Sequence, residues 1–410
     1  MNIAILAIGN EVLCGKIVDT NGATISREIE GLGAKVVHRE VVLDHIDDIV
    51  LGLQHAYEYA DFVITIGGLG PTVDDLTRDG VAQFFEEALI YDISIYEGIK
   101  EHFSRMKRPT PENNKRQAYK FATGQVLENH NGTAPGLRLD KKGKKVFLLP
   151  GPPNEIFPMF ESYIKPVIKE MIDEPIYSRS YRLYGIGESP AEERILHLYD
   201  KYPLLNIAPY CTISFIDYVV TAKESDEEML DQFEKEFLEI LGEYWVGSAE
   251  KEIHALVVEK LKELNLKIAI AESCTGGMLA SALIDVAGVS EVFLEGFVTY
   301  SNEAKVKRLG VKETTIARDG AVSEACAQEM AIGLQKIAGA DVVISITGIA
   351  GPSGATAEKP VGTVYIGIAL GASVQVYLCH FSGNREKIRI RSRDQALYLL
   401  YQLLNNQGEM

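Results

Sequence analysis

Hydrophobic positions follow two rhythms along this chain, and the rhythms alternate. Residues 3–8 form an unbroken apolar run closed by Gly9-Asn10-Glu11, and residues 61–66 form a strand-like run closed by Gly67 and Gly68. Short apolar runs bounded by glycine read as strands buried on both faces. Between them, residues 20–32 and 46–59 read as helices, the first ending at Gly33 and leading into a further strand over 34–37. This alternation predicts a parallel sheet covered by helices, with ligands bound at the C-terminal strand ends. Gly9-Asn10-Glu11 and Gly67-Gly68-Leu69-Gly70-Pro71-Thr72 fall at those ends.

The same grammar returns late in the chain. A helix is expected over 254–264, a strand over 266–271, a helix over 278–286, strands over 361–369 and 374–379, and a closing helix over 384–404. Between the two α/β regions, a strand over 180–184, a helix over 190–199, short strands over 211–216 and 218–222, and an acidic helix over 226–241 suggest a small α+β module. A chain of 410 residues exceeds what one core usually supports. The reading is therefore an α/β protein of three domains: α/β over 1–170, a small acidic α+β domain over 171–250, and α/β over 251–410. Residues 60–68 and 340–348 look alike, but one echo is not a repeat; both meet the demands of a buried strand that ends at a ligand turn.

Composition narrows the function classes. Apolar residues make up 46% of the chain, enough for full cores, yet no apolar run approaches bilayer length. The chain opens as a strand where a leader would carry positive charge, so a cytoplasmic protein is expected, with no membrane partner. Its five cysteines are odd in number and lack CxxC spacing, which predicts a reduced compartment and no structural zinc. The net charge of −17 argues against an extended nucleic-acid footprint. Residues 171–250 carry six Lys and Arg against seventeen Asp and Glu, a net of −11, so the Gly185-Ile186-Gly187 turn there is read as part of a linker that builds a dimer. A small phosphorylated ligand held by backbone N–H groups remains compatible with this charge.

Candidate chemistry gathers at two places. Ala271-Glu272-Ser273-Cys274-Thr275-Gly276-Gly277 joins a strand to a helix through small hydroxyl and thiol side chains, and the N–H groups of the helix start are expected to face an anion. An ordinary helix cap is the plainer alternative. Hydrolysis of a carboxamide needs a nucleophile and a base; Ser273, Cys274, Thr275, Ser290 and Thr347 are candidates for the first role. Cys274 has no histidine spaced to serve it and reads as a buried, inert thiol. Lys305, if desolvated, could serve a serine, with Tyr300 relaying or orienting the proton, although the pair also fits the start of a surface helix with a snorkelling lysine.

In the first region, Gly68, Gly70 and Thr72 lead directly into Asp74, Asp75 and Thr77. Glycine N–H groups can surround a phosphate, while adjacent carboxylates supply hard oxygen ligands for a divalent cation. Glu11 with Asn21, and Glu155 after Pro150-Gly151-Pro152, can converge from separate loops. Asp74, Asp75, Glu11 and Glu155 are thus the candidate metal ligands, unranked, for a metal of the Mg, Mn or Co type; no cofactor is expected in the third region.

Several separated motifs carry a resemblance. Gly288-Val289-Ser290, Phe297-Val298-Thr299-Tyr300-Ser301-Asn302-Glu303-Ala304-Lys305, Gly320-Ala321-Val322-Ser323 and Ser345-Ile346-Thr347-Gly348-Ile349-Ala350-Gly351-Pro352 follow the Ser273 turn in order. Together they resemble the C-terminal domain of the CinA family (competence/damage-inducible protein A), which is similar to stand-alone nicotinamide mononucleotide deamidases. The middle module resembles the KH-like domain of that family, and the first region the molybdopterin-cofactor-biosynthesis (MoaB/MogA-type) fold in its CinA branch. Asn10 and Cys14 depart from the commonest family form. The resemblance implies a homodimer that salvages pyridine nucleotides, converting nicotinamide mononucleotide to nicotinate mononucleotide and ammonia in the third domain and cleaving ADP-ribose with a divalent metal in the first. It maps Ser290, Tyr300 and Lys305 onto the deamidase centre, and Ser273, Thr347 and Arg385 onto the pocket around it. Cys274, Thr275, Gly276 and Gly348 belong to the same loops, and Arg385 or Arg389 would face the substrate phosphate. A non-catalytic competence or DNA-damage scaffold is the alternative that the family name suggests.

Overall fold

The computed structural model describes residues 1–172, 174 and 176–407. They fall into two compact units: Met1–Tyr177 with Ala222–Glu227, and Ser178–Thr221 with the chain from Glu228 onward. No described helix is long and apolar enough to cross a membrane.

The first unit is built on β1 (Asn2–Ile8), α1 (Thr20–Gly31), β2 (Lys35–Val42), α2 (Ile46–Tyr59), β3 (Phe62–Ile66), α3 (Thr77–Phe85) and α4 (Ile93–Arg105), followed by β4 (Gln125–Leu127), β5 (Gly136–Lys141) and β6 (Lys144–Leu149). The six strands lie in the order β2-β1-β3-β6-β5-β4. Strands β2, β1, β3 and β6 run parallel, and β5 and β4 continue antiparallel. Apolar residues alternate between two cores, Ala4, Leu6 and Val63 on one face and Ile3, Ile5 and Ile64 on the other. Burial on both faces is why these strands read as continuous apolar runs. The parallel arrangement brings the loops after β1, β3 and β6 to one end of the sheet.

The second unit opens with β7 (Ile176–Tyr184), α5 (Glu188–Lys201), β8 (Asn206–Cys211), β9 (Phe215–Lys223), α6 (Glu227–Leu241) and β10 (Trp245–Gly247), whose strands order as β8-β9-β7-β10. The strand expected over 211–216 is corrected here: residues 212–214 are the turn of a β8–β9 hairpin. The Thr212 hydroxyl accepts from the Ser214 and Phe215 N–H groups, which fixes a tight turn where apolar spacing alone suggested a strand.

After α7 (Ile253–Glu263), the chain forms β11 (Ile268–Glu272), α8 (Met278–Ile284), β12 (Phe293–Val298), α9 (Asn302–Leu309), α10 (Glu324–Ala338), β13 (Val342–Gly348), β14 (Thr363–Leu370), β15 (Ser373–His380) and α11 (Arg385–Gln407). The sheet order is β12-β11-β13-β14-β15, parallel over the first three strands and antiparallel over the rest. The middle module shares a core with this sheet's helices. Tyr184 and Val246 pack in one cluster with Ile253, Leu397 and Tyr398, and the Tyr184 and Tyr398 rings stack at 5.8 Å.

Candidate functional site

In the second unit, β11 ends between β12 and β13, and the chain turns sharply at Ser273. Gly276 and Gly277 have φ of +62° and +96°, left-handed values that glycine tolerates best. The anion expected at the following helix start is supplied by the protein itself. Glu272 is 1% exposed, and its carboxylate accepts from the N–H groups of Gly277, Leu279 and Ala280 at 2.9, 3.2 and 2.9 Å. A helix start so occupied offers no free seat for a ligand phosphate, so that expectation is corrected. Glu272 fixes the turn and thereby Ser273, whose N–H donates to the Ile346 carbonyl at 2.9 Å.

Lys305 reaches Ser273 from α9, a helix started by the Ser301 hydroxyl, which accepts from the Ala304 N–H. Its Nζ lies 3.0 Å from Ser273 Oγ, 2.8 Å from the Thr299 carbonyl and 3.4 Å from the Tyr300 carbonyl. The side chain is 1% exposed, and burial lowers its pKa from the ordinary 10.5. Thr299 is held in turn by its N–H on the Glu272 carbonyl at 2.8 Å.

Ser290 is not brought to this pair. It is exposed, just ahead of Phe293, which pairs with Ile268 at the far end of β11. Five residues of strand at about 3.3 Å each separate that end from Ser273, roughly 16 Å. The placement of Ser290 in the deamidase centre is corrected accordingly. The Tyr300 side chain is likewise away from Lys305: it is 63% exposed, and its hydroxyl accepts from Arg385 Nη2 at 3.2 Å. Only the Tyr300 carbonyl touches the amine, so the proton-relay role expected of the phenol is corrected too.

The remaining residues take distinct places. Cys274 is buried, and burial pushes its thiol up to about 11, away from the reactive thiolate. The Thr347 hydroxyl donates to the Ala321 carbonyl at 2.7 Å, and Gly348 packs so closely on Val364 that a Cβ would meet it at 2.6 Å. Arg389 donates to the Cys274 and Thr275 carbonyls at 3.1 and 2.8 Å, so it holds the turn. Arg385 is exposed and donates to the Gly351 carbonyl at 2.7 Å as well as to the Tyr300 hydroxyl. The Thr275 and Thr299 hydroxyls are buried without partners. Sequence reasoning quoted Glu272 and Thr299 within their motifs but gave neither a role, since a carboxylate that folds forward onto the next helix start looks like any other strand-end residue.

In the first unit, a cleft of about 380 Å³ opens at the ends of β1, β3 and β6, lined by Glu11, Asp44, Gly68, Gly70, Thr72, Asp74, Asp75 and Glu155. Gly68 has φ +66°, and a Cβ there would lie 2.1 Å from Thr77 Oγ1, which donates to the Gly67 carbonyl. The Thr72 N–H donates to Asp75 at 2.7 Å, and the Thr72 hydroxyl lies between the Asp74 and Asp75 carboxylates. The bond from Thr72 holds the Asp74 carboxyl below its ordinary value. Asn21 donates to the Gly151 carbonyl at 2.6 Å, and Glu155 accepts from Asn129 at 2.6 Å.

Two further residues of this region were not foreseen, of which Asp44 lines the cleft. Partial burial, together with the charges of Glu11, Asp74 and Asp75, pushes the Asp44 carboxyl up. Arg78 is 2% exposed, its Nη1 has no partner, and burial lowers its pKa to about 10. The carboxylates feel one another's charge but do not share a focus: among the described residues, no three Asp, Glu, His or Cys side chains are grouped closely enough to hold a metal ion.

Three family models match the chain: the CinA C-terminal domain over residues 250–404, the "Probable molybdopterin binding domain" over 4–170, and the damage-inducible protein CinA KH domain over 178–247. A CinA-like protein of Kosmotoga olearia is 42% identical over 401 residues, 97% of either chain. A competence-damage inducible protein of Clostridium botulinum is 42% identical over 404 residues, 98% of this chain and 99% of its own. Among solved structures, a CinA superfamily protein of Klebsiella pneumoniae aligns with 38% of this chain and 99% of its own, at 36% identity and a TM-score of 0.37.

Proposed function

The chain belongs to the CinA family, and from that premise we propose that it is a hydrolase of pyridine-nucleotide salvage whose Ser273 and Lys305 convert nicotinamide mononucleotide to nicotinate mononucleotide and ammonia. The contact between Lys305 Nζ and Ser273 Oγ carries this reading. Two backbone carbonyls, of Thr299 and Tyr300, take two N–H groups of the amine. When Lys305 is neutral, its lone pair then faces the Ser273 hydroxyl. Burial favours that neutral form. Ser273 Oγ attacks the carboxamide carbon while Lys305 takes its proton, and Lys305 returns the proton to the departing ammonia. Water, activated by the same amine, releases the acid and restores the serine. Arg385, exposed and bonded to the hydroxyl of Tyr300, suits the substrate phosphate, for which a guanidinium is a charge-assisted donor. Ammonia release from nicotinamide mononucleotide by the full chain tests the assignment; no release above the uncatalysed rate contradicts it.

The first unit is read as an ADP-ribose hydrolase, because its glycine turn and carboxylates line one cleft at the sheet's C-terminal end. Asp74, Asp75, Glu11 and Glu155, with Asp44, line this cleft and would be the hard oxygen donors to a divalent cation, although no three of them are grouped closely enough to hold one as they stand. Such a cation would neutralise charge on the pyrophosphate oxygens. Without it, the turn orients the phosphates and Asp75 holds the turn through Thr72. A chelator is expected to silence ADP-ribose cleavage while deamidation persists, as measured by parallel assays on one preparation. Equal sensitivity of both reactions would overturn this division.

A further inference from the structure

We propose that a second cleft of the first unit, which shares Thr133 with the cleft at the glycine turn, seats the nucleoside half of the pyrophosphate substrate as a purine nucleoside 5′-phosphate. The inference rests on the reading of that unit as an ADP-ribose hydrolase. This second cleft measures about 550 Å³ against about 380 Å³ for the first, and Thr133 lines both. Asn129, His130 and Gly132 of the same loop line the second cleft alone. Asn129 lines the second cleft and donates to Glu155, which lines the first. A Cβ on Gly132 would come within 2.1 Å of the Glu155 carboxylate, so the loop lies directly on that residue. Ligand sites usually measure about 300–1,000 Å³. Each of the two clefts falls within that range.

The lining has the chemistry of a mononucleotide. Ile95 and Val126 offer apolar surface, and the His102 and His130 imidazoles offer flat partners, for the face of a base. Arg105 and Lys120 bring positive charge, and Asp92 orients Lys120 through an ion pair at 2.8 Å. Glu128 is an acceptor for ribose hydroxyls. Asp92 and Glu128 balance the two cations in number, and with Lys120 paired to Asp92, Arg105 is the cation left for a phosphate.

Binding of adenosine 5′-monophosphate to the full-length protein, followed by titration calorimetry, tests the proposal in wild type and two variants. In H102Q/R105Q, loss of the charged contact should weaken the nucleotide by about tenfold or more and raise KM for ADP-ribose comparably. Affinity for inorganic pyrophosphate should hold. Gly98→Tyr is the steric counterpart: Gly98 lines the cleft, and a Cβ there meets nothing within 4 Å, so the new side chain starts unobstructed. It should abolish nucleotide binding without lowering the melting temperature. Absence of nucleotide binding in wild type, or unchanged affinity in both variants, overturns the proposal. If ADP-ribose is cleaved with an unchanged KM in both, the site falls while the hydrolase reading stands. If nothing is cleaved but the variants lose the nucleotide, the hydrolase reading falls and the site stands.

Discussion

Lys305→Met is expected to lower kcat/KM for nicotinamide mononucleotide by on the order of 1,000-fold or more, in a protein that still folds. Methionine fills the lysine stem's place and keeps the core packed. It removes a buried amine whose charged form burial disfavours, but it leaves the Thr299 and Tyr300 carbonyls short of a donor. The two effects oppose each other, so stability should move by no more than about 1 kcal/mol, a few degrees in Tm.

The wild type should also show a distinctive pH dependence. On the proposed mechanism the neutral amine is the base, so kcat/KM should rise as pH passes up through the lowered Lys305 pKa and fall below it. Between that folded value and the ordinary 10.5, the unfolded chain holds a proton that the folded chain has released, so this lysine's contribution to stability grows as pH rises across the window. Lys305→Met should lose this increment. Initial rates and thermal melts across pH check both statements, and near-normal turnover in the variant would contradict them.

Arg182→Ala is expected to destabilise the second unit by about 3 kcal/mol, a fall in Tm of roughly 10 °C. Arg182 is 4% exposed and grips both oxygens of Asp217 at 2.8 Å. Its remaining nitrogen donates to Glu252 at 2.9 Å and to the Lys251 carbonyl at 3.2 Å, and its guanidinium lies 4.0 Å over the Phe215 ring. One side chain thus ties β7 and β9 of the middle module to the start of α7. Alanine leaves the Asp217 carboxylate without its partner, which is where most of the loss arises. Replacing the pair together, as R182M/D217L, should recover much of it. Chemical denaturation measures both, and a single-variant loss below about 1 kcal/mol would contradict the account.

The parts of this fold legible in the sequence are those where one local rule acts alone. Residues 3–8 and 62–66 are buried on both faces and therefore apolar save for Thr65, and Gly67, Gly68, Gly276 and Gly277 mark turns that need left-handed backbone. Residues 211–216 misled because the Thr212 hydroxyl, not apolar spacing, sets the hairpin turn. The site was legible in its members and not in their pairing. Lys305 was singled out as a base, and the Ser273 turn as the most telling motif. Which serine the lysine meets depends on the parallel pairing of β11 with β12, which puts Ser290 and Ser273 at opposite ends of the same strand pair. Register of that kind spans more than twenty residues and leaves no local trace. Glu272 was opaque for a related reason, since its carboxylate fills the seat that an anionic ligand was expected to take.

Ammonia release from nicotinamide mononucleotide by Ser273→Ala and Ser290→Ala, assayed side by side, tests the central claim most directly. Ser273→Ala should fall by on the order of 1,000-fold, as expected when one member of a catalytic pair is removed. Ser290→Ala, an exposed change at the far end of the sheet, should stay within roughly twofold of wild type. A silent Ser290→Ala beside a working Ser273→Ala would contradict the assignment of Ser273 and Lys305.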